Sequence, residues 1–238
     1  MELQDFFTQI QAPKFIVKYF EQPDWYLLVG KFKEILQHEL TKTVSHSKNE
    51  TLKVYGKIYL GKNCRIGDYV VIEGPAYIGD NVEIGPGAYI RPGSIISNDC
   101  VVGHAAEIKN SLLMAGAKTS NHNFVGDSIV GAKARFGGHC ETTNRRFDQQ
   151  PIFISYKNEK LATGLDKYGL ILGQEARLGG SVLTAPGTTI GKRTFVSTGL
   201  SIGGFIPAGK FVKVKQELLL TDNNFQGELH NRSRLFEH

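Results

Sequence analysis

Three groups of side chains in this 238-residue sequence stand at spacings that invite chemistry. His122 lies in "SNHNFVGD", flanked by Asn121, Asn123 and Phe124. An imidazole titrates near neutral pH and is a natural general base, although a lone loop histidine is equally compatible with plain solvation. Arg91 precedes Lys109 by the same interval as Glu73 precedes Arg91. If that interval brings them together, two cations about 5 Å apart repel by roughly 1 kcal/mol in water and need an anion. Either Glu73 supplies it in a surface ladder, or the pair seats a phosphate, with Arg91 bidentate and Lys109 as a point charge. The third group is Cys64, Cys100 and Cys140, whose odd number argues against a disulfide framework.

The interval has a structural basis. Aliphatic residues recur every six positions from Leu60 through Ile66, Ile72, Ile78, Ile84, Ile90, Ile96, Val102 and Ile108 to Met114. The residue four places after each is mostly small, and all three cysteines hold that position, which marks them as small buried thiols. Three hexads make one triangular coil, and such coils stack about 4.8 Å apart by parallel pairing. Glu73, Arg91 and Lys109, each three hexads from the next, therefore form a column. The pattern lapses after Met114, returns at Val130 and Phe136, lapses again, and resumes from Leu172 to Ile202, which predicts a mainly β protein with a parallel β-helix of about six coils. The lapse at 115–129, which holds His122, must leave the coil as a loop or alter its corner. Residues 142–168, with "PIFISY" and "LATG" around "KNEK", read as a projecting β-hairpin arm.

Outside the coils, residues 1–50 form a helical segment. Trp25, Leu28, Val29, Phe32, Ile35, Leu36 and Leu40 recur at helical spacing behind Asp24 as N-cap. Their apolar face is expected to cover the open first coil or a neighbouring subunit, since a solenoid end needs a cap. "HSKNE" (46–50) reads as a linker before the β-helix of 51–215, and 216–238 as a polar tail. With 41% hydrophobic and 21% charged residues, no apolar run of membrane-spanning length and an acidic residue at position 2, the expectation is a cytoplasmic protein without membrane contact. A net charge of +5 without any nucleic-acid-binding motif suits an enzyme handling phosphates and coenzyme A, and no nucleic-acid partner is expected.

The stretch "IRPGSIISNDCVVGHAAEIKNSLLMAGAKTSNHNFVGDSIVG" resembles the C-terminal acetyltransferase domain of the bifunctional bacterial enzyme that makes UDP-N-acetylglucosamine. The likeness includes the RPG, a lysine three hexads after its arginine, and a Gly-x-Lys loop leading to Gly-Asp; it extends over 60–215. The chain resembles still more closely the stand-alone β-helical proteins with "VGDSIVG", often labelled sugar nucleotidyltransferase or acetyltransferase-like. The resemblance implies a left-handed winding, a homotrimer with clefts between subunits, and acetyl-CoA as co-substrate. It also implies that Arg91 and Lys109 hold a sugar phosphate, and that a loop histidine deprotonates the 2-amine of glucosamine 1-phosphate as it attacks the thioester. Gapless alignment puts Asn121 at that histidine's place and His122 one residue later. The substrate-binding tyrosine becomes Phe124, its following asparagine becomes Arg135, and a later asparagine matches Asn144. The oxyanion amide maps to Gly138, and coenzyme A contacts fall near Gly180, Thr198 and Lys215.

The expected activity is CoA-dependent N-acetylation of an amino-sugar phosphate or nucleotide sugar. The alternatives are a non-catalytic sugar-nucleotide-binding or assembly protein, and an acyltransferase using a longer chain. Nucleotidyl transfer is not expected, because residues 1–50 are too short for the α/β domain it needs and lack its Gly-rich basic loop. A zinc site built from His104, His122 and His139, like that of the β-helical carbonic anhydrases, lacks that family's closely spaced ligand pair. No metal is expected.

Overall fold

The computed structural model describes residues 1–40 and 50–223; the expected linker at 46–49 and the end of the tail at 224–238 lie outside the described residues. From Lys53 to Val212 the chain winds into a parallel β-helix of three eight-stranded sheets. Sheet A begins at Lys53–Tyr55, sheet B at Ile58–Leu60 and sheet C at Arg65–Ile66, and each coil visits A, B and C in turn. Inside, Ile72, Ile90, Ile108 and Val125 stack on successive rungs of sheet A, all buried. Such β-branched side chains suit a pleated surface packed against its neighbours.

Eight strands per sheet exceed the six coils expected, and corner chemistry explains part of the difference. Tyr89 pairs with Glu107 at the full interval of three hexads, but Ile95 pairs with Leu112, and Leu112 with Ile129, each one position short of it. In the two shortened coils a single residue turns the corner from A to B: Asn110 at φ 45° and Asp127 at φ 49°. Asn and Asp tolerate this left-handed region better than most. The hydroxyls of Ser111 and Ser128 donate to the carbonyls of Lys109 and Gly126 at 2.8 and 2.7 Å, which fixes the turn. The frame slips by one position as a result. Leu113, rather than Met114, points into the coil, and Met114 joins a second core outside it. Of the two expectations for 115–129, the projecting loop is corrected and the altered corner holds: the stretch stays in the coil as strands Lys118–Thr119 and Phe124–Gly126, with Asp127 turning the shortened corner.

The second core explains the N-terminal segment. Sheet B presents Ile95, Leu112, Ile129 and Ile171 outward, an aliphatic face that must be kept from water. A 3₁₀-helix at Trp25–Lys31 and an α-helix at Phe32–Glu39 lie over it, burying all seven periodic apolar residues from Trp25 to Leu40. Asp24 makes no side-chain cap. The segment thus covers the flank of sheet B and not the open first coil. Ahead of it, the carbonyls of Asp5, Phe6 and Gln11 accept from Lys192, Gln174 and Ala115 N–H at 3.0, 2.8 and 2.8 Å, so the N-terminal backbone, which begins with the 3₁₀ turn Leu3–Asp5, is pinned along the B–C corner. The hairpin of Phe153–Tyr156 and Glu159–Ala162 folds back instead of projecting. Ile154 and Tyr156 enter the second core, and the Tyr156 hydroxyl donates to Asp5 Oδ2 at 2.6 Å. Among the described residues no helix is long and apolar enough to cross a membrane.

The cysteines differ in accessibility. Cys100 and Cys140 are buried and Cys64 is half-buried. Burial pushes the Cys100 thiol up to about 12, and raises Cys140 and Cys64 as well. Native protein at pH 8 should therefore react with an aromatic disulfide reagent first at Cys64, with all three thiols reacting after unfolding. The sign follows from the raised values: the folded thiols stay protonated while unfolded ones ionise, so stability is present below the ordinary thiol range and is lost as pH rises through it. Labelling of Cys100 ahead of Cys64, located by peptide mass, would contradict this burial.

Candidate functional site

Pairing of Ile90 with Ile108 makes Arg91 and Lys109 neighbours on sheet A, as their three-hexad interval requires. Each cation already has a carboxylate. Arg91 Nη1 lies 2.7 Å from Glu107 Oε1, and this bond raises the guanidinium pKa further. Lys109 Nζ pairs with Asp127 Oδ2, with the two side chains only 12% and 6% exposed. Desolvation pushes the Lys109 ammonium below the usual lysine range despite the pull of Asp127. Asp127 also accepts from Asn110 Nδ2 at 2.8 Å and Asn144 Nδ2 at 2.6 Å. Glu73 makes no ion pair with Arg91 among the described residues, and its carboxylate raises the pKa of the Tyr89 hydroxyl beside it. Sequence reasoning passed over Asp127, yet its signal was there: the Asp of Gly-Asp stands three hexads after Lys109.

Asn144 joins this network to an open groove. Its carbonyl accepts from Tyr168 N at 2.9 Å, and the buried Tyr168 hydroxyl donates to the Tyr26 carbonyl at 2.8 Å. Asn144 therefore ties the base of the hairpin arm to Asp127. Beside it, a groove of about 770 Å³ has Phe124, Leu183 and Pro186 as apolar lining and residues 143–148 along its wall. The Phe124 ring lies over Gly126, where a Cβ would come within 2.5 Å of it, so only glycine fits there. In the wall, Arg146 Nε donates to Asp148 Oδ1 at 2.8 Å, and this bond holds the Asp148 carboxyl at about 2.

The corner from sheet C to sheet A carries the other site residues. Asn121, Gly138, Gly180 and Thr198 occupy equivalent positions on successive rungs, linked by His139 N to Asn121 O, Ser181 N to Gly138 O, and Gly199 N to Gly180 O at 3.0, 2.8 and 2.9 Å. Their own N–H groups make no hydrogen bond among the described residues. The next position holds His122 and His139 in the left-handed region. The His122 ring stands 5.1 Å from that of His104 and 5.0 Å from that of His139. His122 stacks on His139 and meets His104 edge-on, and no group of three or more His, Cys, Asp or Glu among the described residues is arranged to hold a metal. Because Phe124 follows closely on His122 in the chain, this corner adjoins the groove. Arg135 lies apart on the outer face of sheet C, and Lys215 lies beyond the last strand, exposed and outside any sheet.

Comparison with known proteins identifies the family. The family described as the GMPPB C-terminal domain matches residues 72–224. The uncharacterized acetyltransferase YaiX of Escherichia coli O6:K15:H31 is 39% identical over 166 residues, covering 70% of this chain and 72% of that protein. This chain belongs to the hexapeptide acetyltransferase-like family. The bifunctional protein GlmU of Methanococcus aeolicus is 32% identical over 115 residues, which is 48% of this chain but 28% of GlmU. Among solved structures, the UDP-N-acetylglucosamine acyltransferase from Campylobacter jejuni aligns at 13% identity and a TM-score of 0.38, over 68% of this chain and 69% of that one. That likeness is too distant to support an argument, and family membership rests on the sequence matches.

Within this hexapeptide acetyltransferase-like chain, the buried Lys109–Asp127 pair is the site's most exacting element. Removing one partner of such a pair leaves an uncompensated buried charge. Asp127→Asn should lower unfolding free energy in urea by about 3–5 kcal/mol. The double variant Lys109→Met with Asp127→Asn should recover much of that loss. Additive losses from Lys109→Met and Asp127→Asn would show that the pair is not coupled.

Proposed function

We propose that this chain is a CoA-dependent N-acyltransferase that acetylates an amino-sugar phosphate or a nucleotide sugar. The observation that carries the reading is the run of unpartnered amides at Asn121, Gly138, Gly180 and Thr198, one per rung, beside His122 and the groove. The molecule holds an internal precedent for what such a corner accepts: at the B–C corner, backbone carbonyls of the N-terminal segment bind Lys192, Gln174 and Ala115 N–H. The pantetheine arm of acyl-CoA is an extended chain with amide carbonyls and fits the C–A corner in the same manner. Glycines at Gly138 and Gly180, on adjacent rungs, put no side chain over their own amides.

In this reading the acceptor amine attacks the thioester carbonyl carbon, the C–S bond breaks, and CoA leaves as its thiol. His122 takes the amine proton and delivers it to the departing sulfur, and the Gly138 N–H stabilises the oxyanion. Arg91 and Lys109 orient an acceptor phosphate, and Phe124 and Asn144 border its seat. A homotrimer would supply the second wall of the cleft. Support comes from the acetyltransferase name of the Escherichia coli relative and from the resemblance to GlmU. A second reading, a binding or assembly protein without turnover, is favoured by one observation: both cations are already matched by carboxylates.

The readings separate on thiol release from acetyl-CoA with glucosamine 1-phosphate and a panel of amino sugars. Release that falls by about 10²-fold or more in His122→Ala supports the base, and acceptor binding without release favours the second reading. The glycines give a sharper test. A Cβ at Gly138 meets only Asn121 O at 3.7 Å, and one at Gly180 comes no closer than 3.4 Å. Gly138→Ala and Gly180→Ala should therefore fold with unchanged Tm while raising KM for acetyl-CoA. Unchanged KM in both variants would remove the arm from this corner.

A further inference from the structure

The outer face of sheet C carries a feature that the acyl-transfer reading does not use. Pairing of Lys118 with Arg135, Arg135 with Arg177, Arg177 with Phe195 and Phe195 with Phe211 stacks three cations and then two rings on successive rungs. All five are exposed. None of the three cations has an ion pair among the described residues. The start of the same column shows the ordinary solution, since Arg65 there pairs with Glu83 on the next rung. Further along, like charges repeat with no carboxylate between them, and such a ladder favours an external anion. The rings are part of it: the Arg177 guanidinium lies 5.4 Å from the Phe195 centroid, and the Phe195 and Phe211 centroids are 6.4 Å apart. Lys213 Nζ stands 4.5 Å from the Phe211 centroid, adding a fourth positive charge at the aromatic end.

We propose that this face binds a nucleoside diphosphate, with its base stacked on Phe195 against the edge of the nearly perpendicular Phe211 ring and its two phosphates on Arg177 and on Arg135 with Lys118. The dimensions agree. Rungs are about 4.8 Å apart, so Arg135 and Phe195, two rungs away, are separated by about 10 Å, close to the reach from a base to its second phosphate. Exposed rings accept any base by stacking, while guanidinium groups take phosphate oxygens bidentately. This chemistry occurs both in a nucleotide sugar and in the adenosine end of a coenzyme A, and the ladder itself reads only what they share. The inference deepens the acyl-transfer reading, since either source is a substrate of that reaction, but it is tested by binding with no turnover, so its failure is distinguishable from a failure of acyl transfer.

The test is calorimetric titration of the full chain with ADP, UDP, adenosine, uridine and inorganic tripolyphosphate at low and physiological salt. ADP or UDP should bind saturably, more weakly as salt rises, with the matching nucleoside at least about tenfold weaker. Arg135→Gln and Arg177→Gln should each weaken the nucleotide by about tenfold or more, whereas Arg65→Gln should leave it unchanged. Phe195→Ala should weaken the nucleotide and spare tripolyphosphate. UDP preferred over ADP assigns the site to a nucleotide sugar, and the reverse assigns it to the coenzyme. The proposal is overturned if neither nucleotide saturates, if Arg135→Gln and Arg65→Gln behave alike in well-folded protein, or if tripolyphosphate binds as tightly as the better nucleotide.

Discussion

The rung-to-rung backbone hydrogen bond governs which side chains meet in this protein. Each strand donates to the coil beside it, as Arg91 N does to Ile108 O at 2.8 Å and Gly79 N to Ile96 O at 2.8 Å, and every outward residue is thereby stacked on its equivalent one coil away. The arrangement makes columns out of sequence intervals. One column becomes a run of ion pairs, another a track of small corners, a third a ladder of like charges. At the corners the same constraint leaves one N–H per turn without a strand partner. The protein meets that need with Asp80 and Asn98 side chains in the early coils, whose carboxylate and amide oxygens accept from Lys62 N and Asp80 N at 2.7 and 3.0 Å, and with N-terminal carbonyls further on.

The repeat was legible because an aliphatic residue every six positions has no common alternative explanation, and the three-hexad interval placed Arg91 beside Lys109 correctly. What escaped was the length of a corner. Asn110 and Asp127 each do alone the work that a pair does elsewhere, and a fixed count of six cannot register that. The Asn-Ser and Asp-Ser pairs were the available sign, since a side chain tolerant of positive φ followed by a hydroxyl that bonds back is what a one-residue corner needs. The N-terminal segment was legible as amphipathic, but its destination was not. Its target, the outward row of Ile95, Leu112, Ile129 and Ile171, becomes visible only once the shortened corners are counted.

The candidate site divides along the same line. Rung counting accounts for Arg91 beside Lys109, whereas Gly138 and Gly180 share a corner only because the hairpin is looped out between them, which no fixed interval registers. The partners of the cations are half legible: Asp127 stands three hexads after Lys109, but Glu107 reaches Arg91 through side-chain direction, which no interval encodes. A buried ammonium held by one carboxylate and two amides in its network is a fixed, preorganised charge and not a mobile one.

A solenoid held only by contacts between successive coils can fray from its ends, since each coil is answerable to its neighbours alone. The N-terminal segment removes that freedom here. Phe15 packs 5.3 Å from Tyr77 on the second strand of sheet B, while Phe6 packs 6.3 Å from Phe205 on the eighth. One short stretch of chain therefore spans nearly the whole stack from the outside. Peeling away the last coil breaks contacts anchored to the early ones, so the coils are coupled into a single cooperative unit that a string of independent repeats would not form.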